Sequence, residues 1–298
     1  FRSFAALQRL SLNAGRVKSE RIGAVLSTSS RSSPHLLRSL ALLGANGSGK
    51  SSLIGALDFV QSFVSSSAQS TQLGDNINVR PFLLDPSFRD KCSDFEITFI
   101  HQDIEYTYSL SVTMKRVIRE CLLSRAKSQA LKVVFSRSYD DGEETWNLGT
   151  LPKAQGKLWQ QSTRPNASFL STAVQLNSEQ LKHPFDWITD KLRIQTSGSA
   201  FSASLTAHMI KDHVEDGCRM EIMNLLREAD LGIRDVLIEE EDFDESDLPS
   251  DMPDDLRKRV ADELKDRKFL STRFEHRILY ISGKVQLYWC LLMFAYRF

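Results

Sequence analysis

The chain lacks the features that would tie it to a metal framework, a membrane or a polyanion. Its four cysteines, Cys92, Cys121, Cys218 and Cys290, include no C-x-x-C pair. That removes the spacing of a zinc site and of a disulfide-stapled fold, and makes a reducing cytoplasm the fitting compartment. Basic and acidic residues balance at 38 each, so no global field argues for or against nucleic acid. No apolar run is long enough to span a membrane, and the most apolar stretch, Leu287 to Phe298, is too short. Phe1-Arg2-Ser3-Phe4 has neither the basic region nor the apolar core of a signal peptide in front of it. No Met stands at position 1, so a missing or processed N-terminus is expected, and no internal repeat is found. At 298 residues the chain can bury a full core, as one large domain or two modest ones.

What is present is organised around Leu40-Ala41-Leu42-Leu43-Gly44-Ala45-Asn46-Gly47-Ser48-Gly49-Lys50-Ser51-Ser52, an apolar tetrad running into a match to G-x-x-x-x-G-K-[ST]. The glycines let successive N–H groups turn inward around a phosphate chain. The helix expected to begin near Lys50 adds its unsatisfied N–H groups and the positive end of its dipole. Lys50 would reach the β- and γ-phosphates and the Ser51 hydroxyl would ligate Mg²⁺, with Gly44, Ala45, Asn46, Gly47, Ser48, Gly49 and Ser52 completing the nucleotide site. The plain alternative is a glycine-rich turn before an ordinary helix. A chance match in a chain of this length arises on the order of one time in a hundred.

In chain order, Phe4 to Leu12 reads as a strand, Gly15 to Pro34 as a loop, and Leu40 to Leu43 as a buried strand of a largely parallel sheet. Apolar residues from Leu53 to Val64 keep helical spacing, and polar Ser65 to Asn78 reads as a surface loop. From Phe95 the period becomes two, with hairpin breaks at His101-Gln102-Asp103-Ile104 and Asp140-Asp141-Gly142 and further strands at Val117–Leu123, Lys132–Ser136 and Thr145–Leu148. Beyond Lys157 helices are expected over Ala167–Asn177, Ser178–Lys191 with Ser178 as N-cap, Ala203–Asp216 and Arg219–Asp230. His208 and His213 lie five apart, the wrong spacing for a shared metal-binding face. Ile233–Ile238 reads as a strand, and the acidic run Glu239–Asp255 as a solvated loop rather than a Mg²⁺ site or DNA mimic. Leu256–Lys268 reads as a helix and Phe269–Glu275 as a strand. The segmentation is a P-loop core over 1–80, an antiparallel β-subdomain over 81–156, a helical region over 157–230, a return strand with acidic loop and helix over 231–277, and an atypical tail over 278–298.

Three stretches carry a resemblance. Phe1-Arg2-Ser3-Phe4 resembles the end of an N-F-[RK]-S-F opening strand. Gly44 to Ser51 resembles a G-A-N-x-S-G-K-S loop, and Ser162-Thr163-Arg164-Pro165-Asn166-Ala167-Ser168-Phe169-Leu170-Ser171 a segment between β-subdomain and helical region. Together they are similar to the AAA-type ATPases of abortive phage infection, whose ATPase lobe is similar to the ABC-type heads of SMC, RecF and OLD proteins. The resemblance implies an α/β P-loop NTPase head, ATP and Mg²⁺ as cofactors, a head-to-head homodimer around ATP, and coupling to a nuclease or toxin effector. It also implies that Arg2 sits near the nucleotide and offers Gln175 for the metal-contacting glutamine, although an ordinary polar helix residue is the commoner reading of a lone Gln.

Such heads also need a Ser-Gly signature segment and an apolar strand ending in Asp-Glu. After His276 only Ile281-Ser282-Gly283-Lys284 offers a Ser-Gly pair, and Val285–Phe298 contains no carboxylate. A truncated or frameshifted reading frame is therefore expected, with nucleotide binding retained and turnover poor. Two rival readings stand beside it. One is a nucleotide-dependent DNA-binding or repair scaffold of the RecF/SMC kind, using Arg116, Arg119, Arg125, Lys127 and Lys132 as a basic stripe. The other is a non-functional fragment.

Overall fold

Period-two alternation builds the largest sheet. In the computed structural model, β3 (Ser93–His101), β4 (Ile104–Val112), β5 (Val117–Ala126), β6 (Lys132–Asp140) and β7 (Glu143–Asn147) form an antiparallel meander in sequence order. They follow a short pair, β1 (Val25–Ser27) and β2 (His35–Leu37), and α1 (Lys50–Ser70). The hairpin turns have positive φ at both central residues, 50° and 62° at Gln102-Asp103 and 46° and 89° at Asp141-Gly142. That backbone twist matches the twist of the flanking strands. The structure describes residues 1–14, 24–28, 35–89, 91–127, 129–194, 207, 210–211, 217–228, 233–242, 254–265, 268–279 and 285–290. The chain divides into two units, Phe1–Ile194 and Gln195–Phe298.

In the first unit one sheet face is apolar and covered. Tyr106, Tyr108, Leu110, Val112, Leu122 and Phe135 form a core with Val60, Phe63 and Val64 of α1, with Phe169, Leu170 and Ala173 of α3 (Phe169–Gln175), and with Leu181 of α4 (Glu179–Asp186). The other face is polar, and its cross-strand pairs are hydrogen-bonded: Thr98 with Thr107 at 3.1 Å, Ser109 with Glu96 at 3.2 Å and Ser138 with Thr145 at 2.8 Å. Such one-sided burial is the usual state of an antiparallel sheet. α2 (Lys153–Ser162) precedes α3, and a π-turn over Trp187–Lys191 follows α4.

Ser162–Ser171 fastens these layers together. Arg164 Nη2 donates to the carbonyls of Ser67 and Ala68, both at 3.0 Å, at the negative end of α1. Asn166 Nδ2 donates to the carbonyls of Gln72 and Asp75 at 2.7 and 3.0 Å. Ser168 caps α3 by accepting from the Ser171 N–H. Under this cap lies Glu120, fully buried on β5. Its Oε1 accepts from Tyr108 Oη at 2.9 Å, Ser168 Oγ at 2.8 Å and the Leu170 N–H at 3.2 Å. Its Oε2 accepts from the Phe169 N–H at 2.8 Å and from Arg137 Nε at 2.9 Å.

Burial first, and then the Glu120 carboxylate, push the Tyr108 phenol well above its ordinary 10.0. Such a group stabilises the fold fully below the unfolded-state value and loses that contribution as pH rises, because the unfolded chain then binds fewer protons than the folded one. Urea midpoints between pH 8 and pH 11 should therefore fall more steeply in the wild type than in Tyr108→Phe. Equal slopes would contradict the assignment.

In the second unit, β8 (Ile233–Asp242), β9 (Lys268–Leu279) and β10 (Val285–Cys290) form an antiparallel sheet in the order β10-β9-β8. α5 (Cys218–Glu228) packs on it through Met223, which meets Ile210 and Val236, and α6 is Asp254–Leu264.

Several expectations are corrected. Phe4–Leu12 is not a strand, and Val25–Ser27, inside the expected loop, is one. Leu40–Leu43 forms no strand, and Leu43 is 94% exposed. An apolar tetrad becomes a buried strand only beside partner strands, and no described residue pairs with it. α1 outruns its expected end by six residues because Ser65, Ser66 and Ser70 return their hydroxyls to carbonyls within the helix, while Val64 and Ser67 bury the inner face. Ser178 stands at the N-cap of α4, but its hydroxyl makes no capping bond. The acidic run starts as strand rather than loop, since β8 continues to Asp242 with Glu239 paired to Arg273 at 3.0 Å. His208, His213, Gly232 and the rest of the acidic run up to Pro253 lie outside the described residues. In the tail, 285–290 is a strand and the remaining residues from 280 onward also lie outside them.

Candidate functional site

α1 starts at Lys50, and the loop before it is shaped by its glycines. Gly47 and Gly49 have φ of 82° and 95°, and Gly49 is the N-cap residue of α1. Any other residue would be strained in these left-handed conformations. At Gly49 an added Cβ would also collide with the Phe4 ring, whose Cζ would be 2.8 Å away. The Lys50 side chain curls back over the loop, its Nζ donating to the carbonyls of Gly44 at 2.6 Å and Ala45 at 2.8 Å. Ser48 N–H closes the turn on the Ala45 carbonyl at 3.2 Å. Residues 44–48 and Ser51 are exposed, so the first turn of α1 is open to a ligand.

The N-terminal segment is strapped to this helix. Ser3 Oγ lies 2.6 Å from Ser52 Oγ. Arg2 donates its N–H to the Arg80 carbonyl at 2.8 Å, and its guanidinium covers Gly55, where a Cβ would overlap Nη1. Gly55 is one turn beyond Ser51 on the same helix face, which places the Arg2 cation beside the first turns of α1. Gln175 is elsewhere. It is exposed at the end of α3, whose start is tied to Ser67 by the Ser168 N–H at 3.0 Å. Ser67 is about 24 Å along α1 from Ser51.

The basic stripe is broken up. Arg116 stacks on the Tyr139 ring at 3.1 Å and faces Glu144 at 3.7 Å, while Arg125 is ion-paired with Glu105. In the second unit a cavity of about 840 Å³ is lined by Gly217, Arg219, Met223, Arg227, Arg234 and Glu275, among others. Arg219 is paired with Asp235 at 2.8 Å and Arg234 faces Glu275 at 3.8 Å, so its lining is nearly neutral. Among the described residues no group of three or more His, Cys, Asp or Glu is placed to hold a metal, and no helix is long and apolar enough to cross a membrane.

Two structural groups escape a sequence reading: the Glu120–Arg137 pair and Gln61, whose amide reaches three carbonyls of residues 188–192. The first had a signal. Leu110, Glu120 and Arg137 are consecutive register partners at inward positions of β4, β5 and β6. Opposite charges at two inward positions imply a buried pair. Gln61 had none.

A glycine loop opening a helix at Lys-Ser, in an α/β setting, defines a P-loop nucleoside-triphosphatase. Residues 39–250, more than two-thirds of the chain, match the family described as AAA domain, putative AbiEii toxin, Type IV TA system, and the chain belongs to that family. No curated protein and no solved structure matches it.

Proposed function

We propose that the chain binds ATP with Mg²⁺ at residues 44–52 and, as part of a head-to-head dimer, serves as the ATPase component of an anti-phage abortive-infection system that drives a nuclease or toxin effector in the cytoplasm. The observation that carries the reading is the loop itself. Lys50 already holds its ammonium among the loop carbonyls, Gly47 and Gly49 have the backbone a phosphate cradle requires, and Ser51 is exposed at the first turn. In that role Gly44, Ala45, Asn46, Gly47, Ser48, Gly49 and Ser52 surround the phosphates, Lys50 offsets their charge, and Ser51 ligates the metal. A Mg²⁺ held by Ser51 would supply the charge that stabilises a transferring phosphoryl group. Arg2 adds a cation next to the cradle, while the place of Gln175 on α3, which meets α1 about 24 Å along the helix from Ser51, gives its assignment to the metal no support.

The DNA-scaffold reading finds less support, because Arg116 and Arg125 are engaged within the sheet. Calorimetric titration with ATP in Mg²⁺ and in EDTA tests the proposal. Saturable binding strengthened by Mg²⁺ is expected, and the absence of binding in both buffers would sink it.

A further inference from the structure

Gln61 faces the first unit's end. It lies eleven residues, about 16 Å, beyond Lys50 on α1. Its Nε2 donates to the carbonyls of Ile188 at 2.9 Å, Thr189 at 3.3 Å and Leu192 at 2.5 Å. These belong to the π-turn Trp187–Lys191 and the residue after it, where the helix ends and carbonyls lose their intrahelical donors. Two amide hydrogens thus serve three acceptors, all within the seven residues before the chain leaves the first unit at Ile194.

The same turn is held on its other side by the sheet. Trp187 stacks on Phe99 of β3 with centroids 3.9 Å apart and planes inclined by 6°. Ile188 is fully buried in the core. The turn is consequently clamped between a rigid sheet and a helix whose first turn is the nucleotide cradle. The sheet contact is apolar and tolerates sliding. The Gln61 contact is directional, and its longest bond, to the Thr189 carbonyl at 3.3 Å, is the first to fail when donor and carbonyls separate.

We propose that Gln61 is a coupling residue, through which occupancy of the loop at 44–52 sets the order of residues 187–194. This rests on the nucleotide-binding reading above. A shift of α1 toward bound phosphate carries Gln61 with it as part of one rigid rod, and tightens or releases all three carbonyls together. Among the described residues of α1 no other side chain donates to this turn, and Arg164, from another segment, holds the C-terminal end of the helix instead. Single π-helical turns are frequent at functional sites, and this one precedes the boundary at Ile194 where the first unit ends.

The test is amide hydrogen exchange of peptides covering 187–194, with and without Mg·ATP, in the full chain and in Gln61→Ala and Gln61→Glu. The Glu variant keeps the side-chain shape but sets a carboxylate against three carbonyls, so it releases the turn without a cavity. ATP affinity is measured on each protein by calorimetry. In the wild type, Mg·ATP should change the exchange of this peptide at least about fivefold. Both variants should bind ATP within about twofold of wild type and show no ATP-dependent change there. A wild type that binds ATP without altering the peptide overturns the proposal, as does a variant that retains the full response. A merely structural cap would raise exchange in the variants equally with and without ATP and leave the wild type unresponsive, which also overturns it. If the wild type binds no ATP, the nucleotide reading falls and the coupling falls with it, and calorimetry distinguishes that failure from the others.

Discussion

Glu120→Ala should lower the stability of the folded chain by about 3–5 kcal/mol, the range for breaking a buried ion pair by removing one partner. The carboxylate is fully buried and Arg137 is nearly so, with side-chain exposures of 0% and 1%. Removing it leaves the guanidinium in the core with the Ala167 carbonyl, the Trp146 ring and the more distant Glu144 carboxylate, at 3.9 Å, as its remaining close company. It also takes the acceptor from the Phe169 and Leu170 N–H groups at the start of α3, and from Tyr108 and Ser168. Burying each donor unpaired adds its own desolvation cost. An apolar double replacement, Glu120→Leu with Arg137→Met, should recover part of the loss, since the stranded charge is gone. It should not recover all of it, because the two helix N–H groups remain without an acceptor. Urea unfolding measures both. A loss under about 1 kcal/mol in the single variant, or a double variant no better than the single one, would show that the pair contributes little.

Lys50→Ala should weaken Mg·ATP binding by roughly 10–100-fold, the equivalent of about 1.5–3 kcal/mol for a charge-assisted hydrogen bond. Stability should hardly move, because the side chain is only half-buried and, among the described residues, bonds to two carbonyls of its own loop. Those partners matter to the free state. The ammonium must leave the Gly44 and Ala45 carbonyls to meet a phosphate, so the measured affinity is already reduced by that exchange. Lys50→Arg should not restore binding, since a planar fork cannot occupy the point-charge position within the loop. Calorimetry at matched protein stability reads the effect, and unchanged affinity in Lys50→Ala would remove the loop from the nucleotide site. With Glu120→Ala the two variants form a contrast: one should lose the fold, and the other only the ligand.

The meander and the loop were legible because both are local. Alternation from Phe95 to Ser111 and the two-residue breaks at 102–103 and 141–142 specify strands and turns without help from distant residues. Gly44 to Ser51 specify a backbone shape in the same way. What could not be read depends on who lies opposite. Leu40–Leu43 has strand composition, yet whether it pairs is decided by other strands. Ser65–Ser70 has loop composition, yet burial of Val64 and Ser67 against the core extends the helix through it. The Ser162–Ser171 segment could be matched by likeness alone. Its work needs distant residues to meet, with Ser168 48 positions from Glu120 and Arg164 97 positions from Ser67 at the end of α1. Gln61 lies about 130 positions from the carbonyls it serves, with no pattern to announce it.

The strand order β3-β4-β5-β6-β7 has a consequence for the route to the native state. Every strand pairs with its neighbour in sequence, so the sheet closes only short loops, and contacts of low sequence separation form fastest. The ties from α1 to α3 and to the π-turn close loops of about a hundred residues or more and come late by the same rule. The nascent sheet therefore carries Glu120 and Arg137 on an uncovered face until α3 arrives to supply the cap. During that interval water solvates the pair and its charge is harmless. The docking of α3 takes that water away, which makes the arrival of Ser168, rather than strand pairing, the step at which the pair is buried.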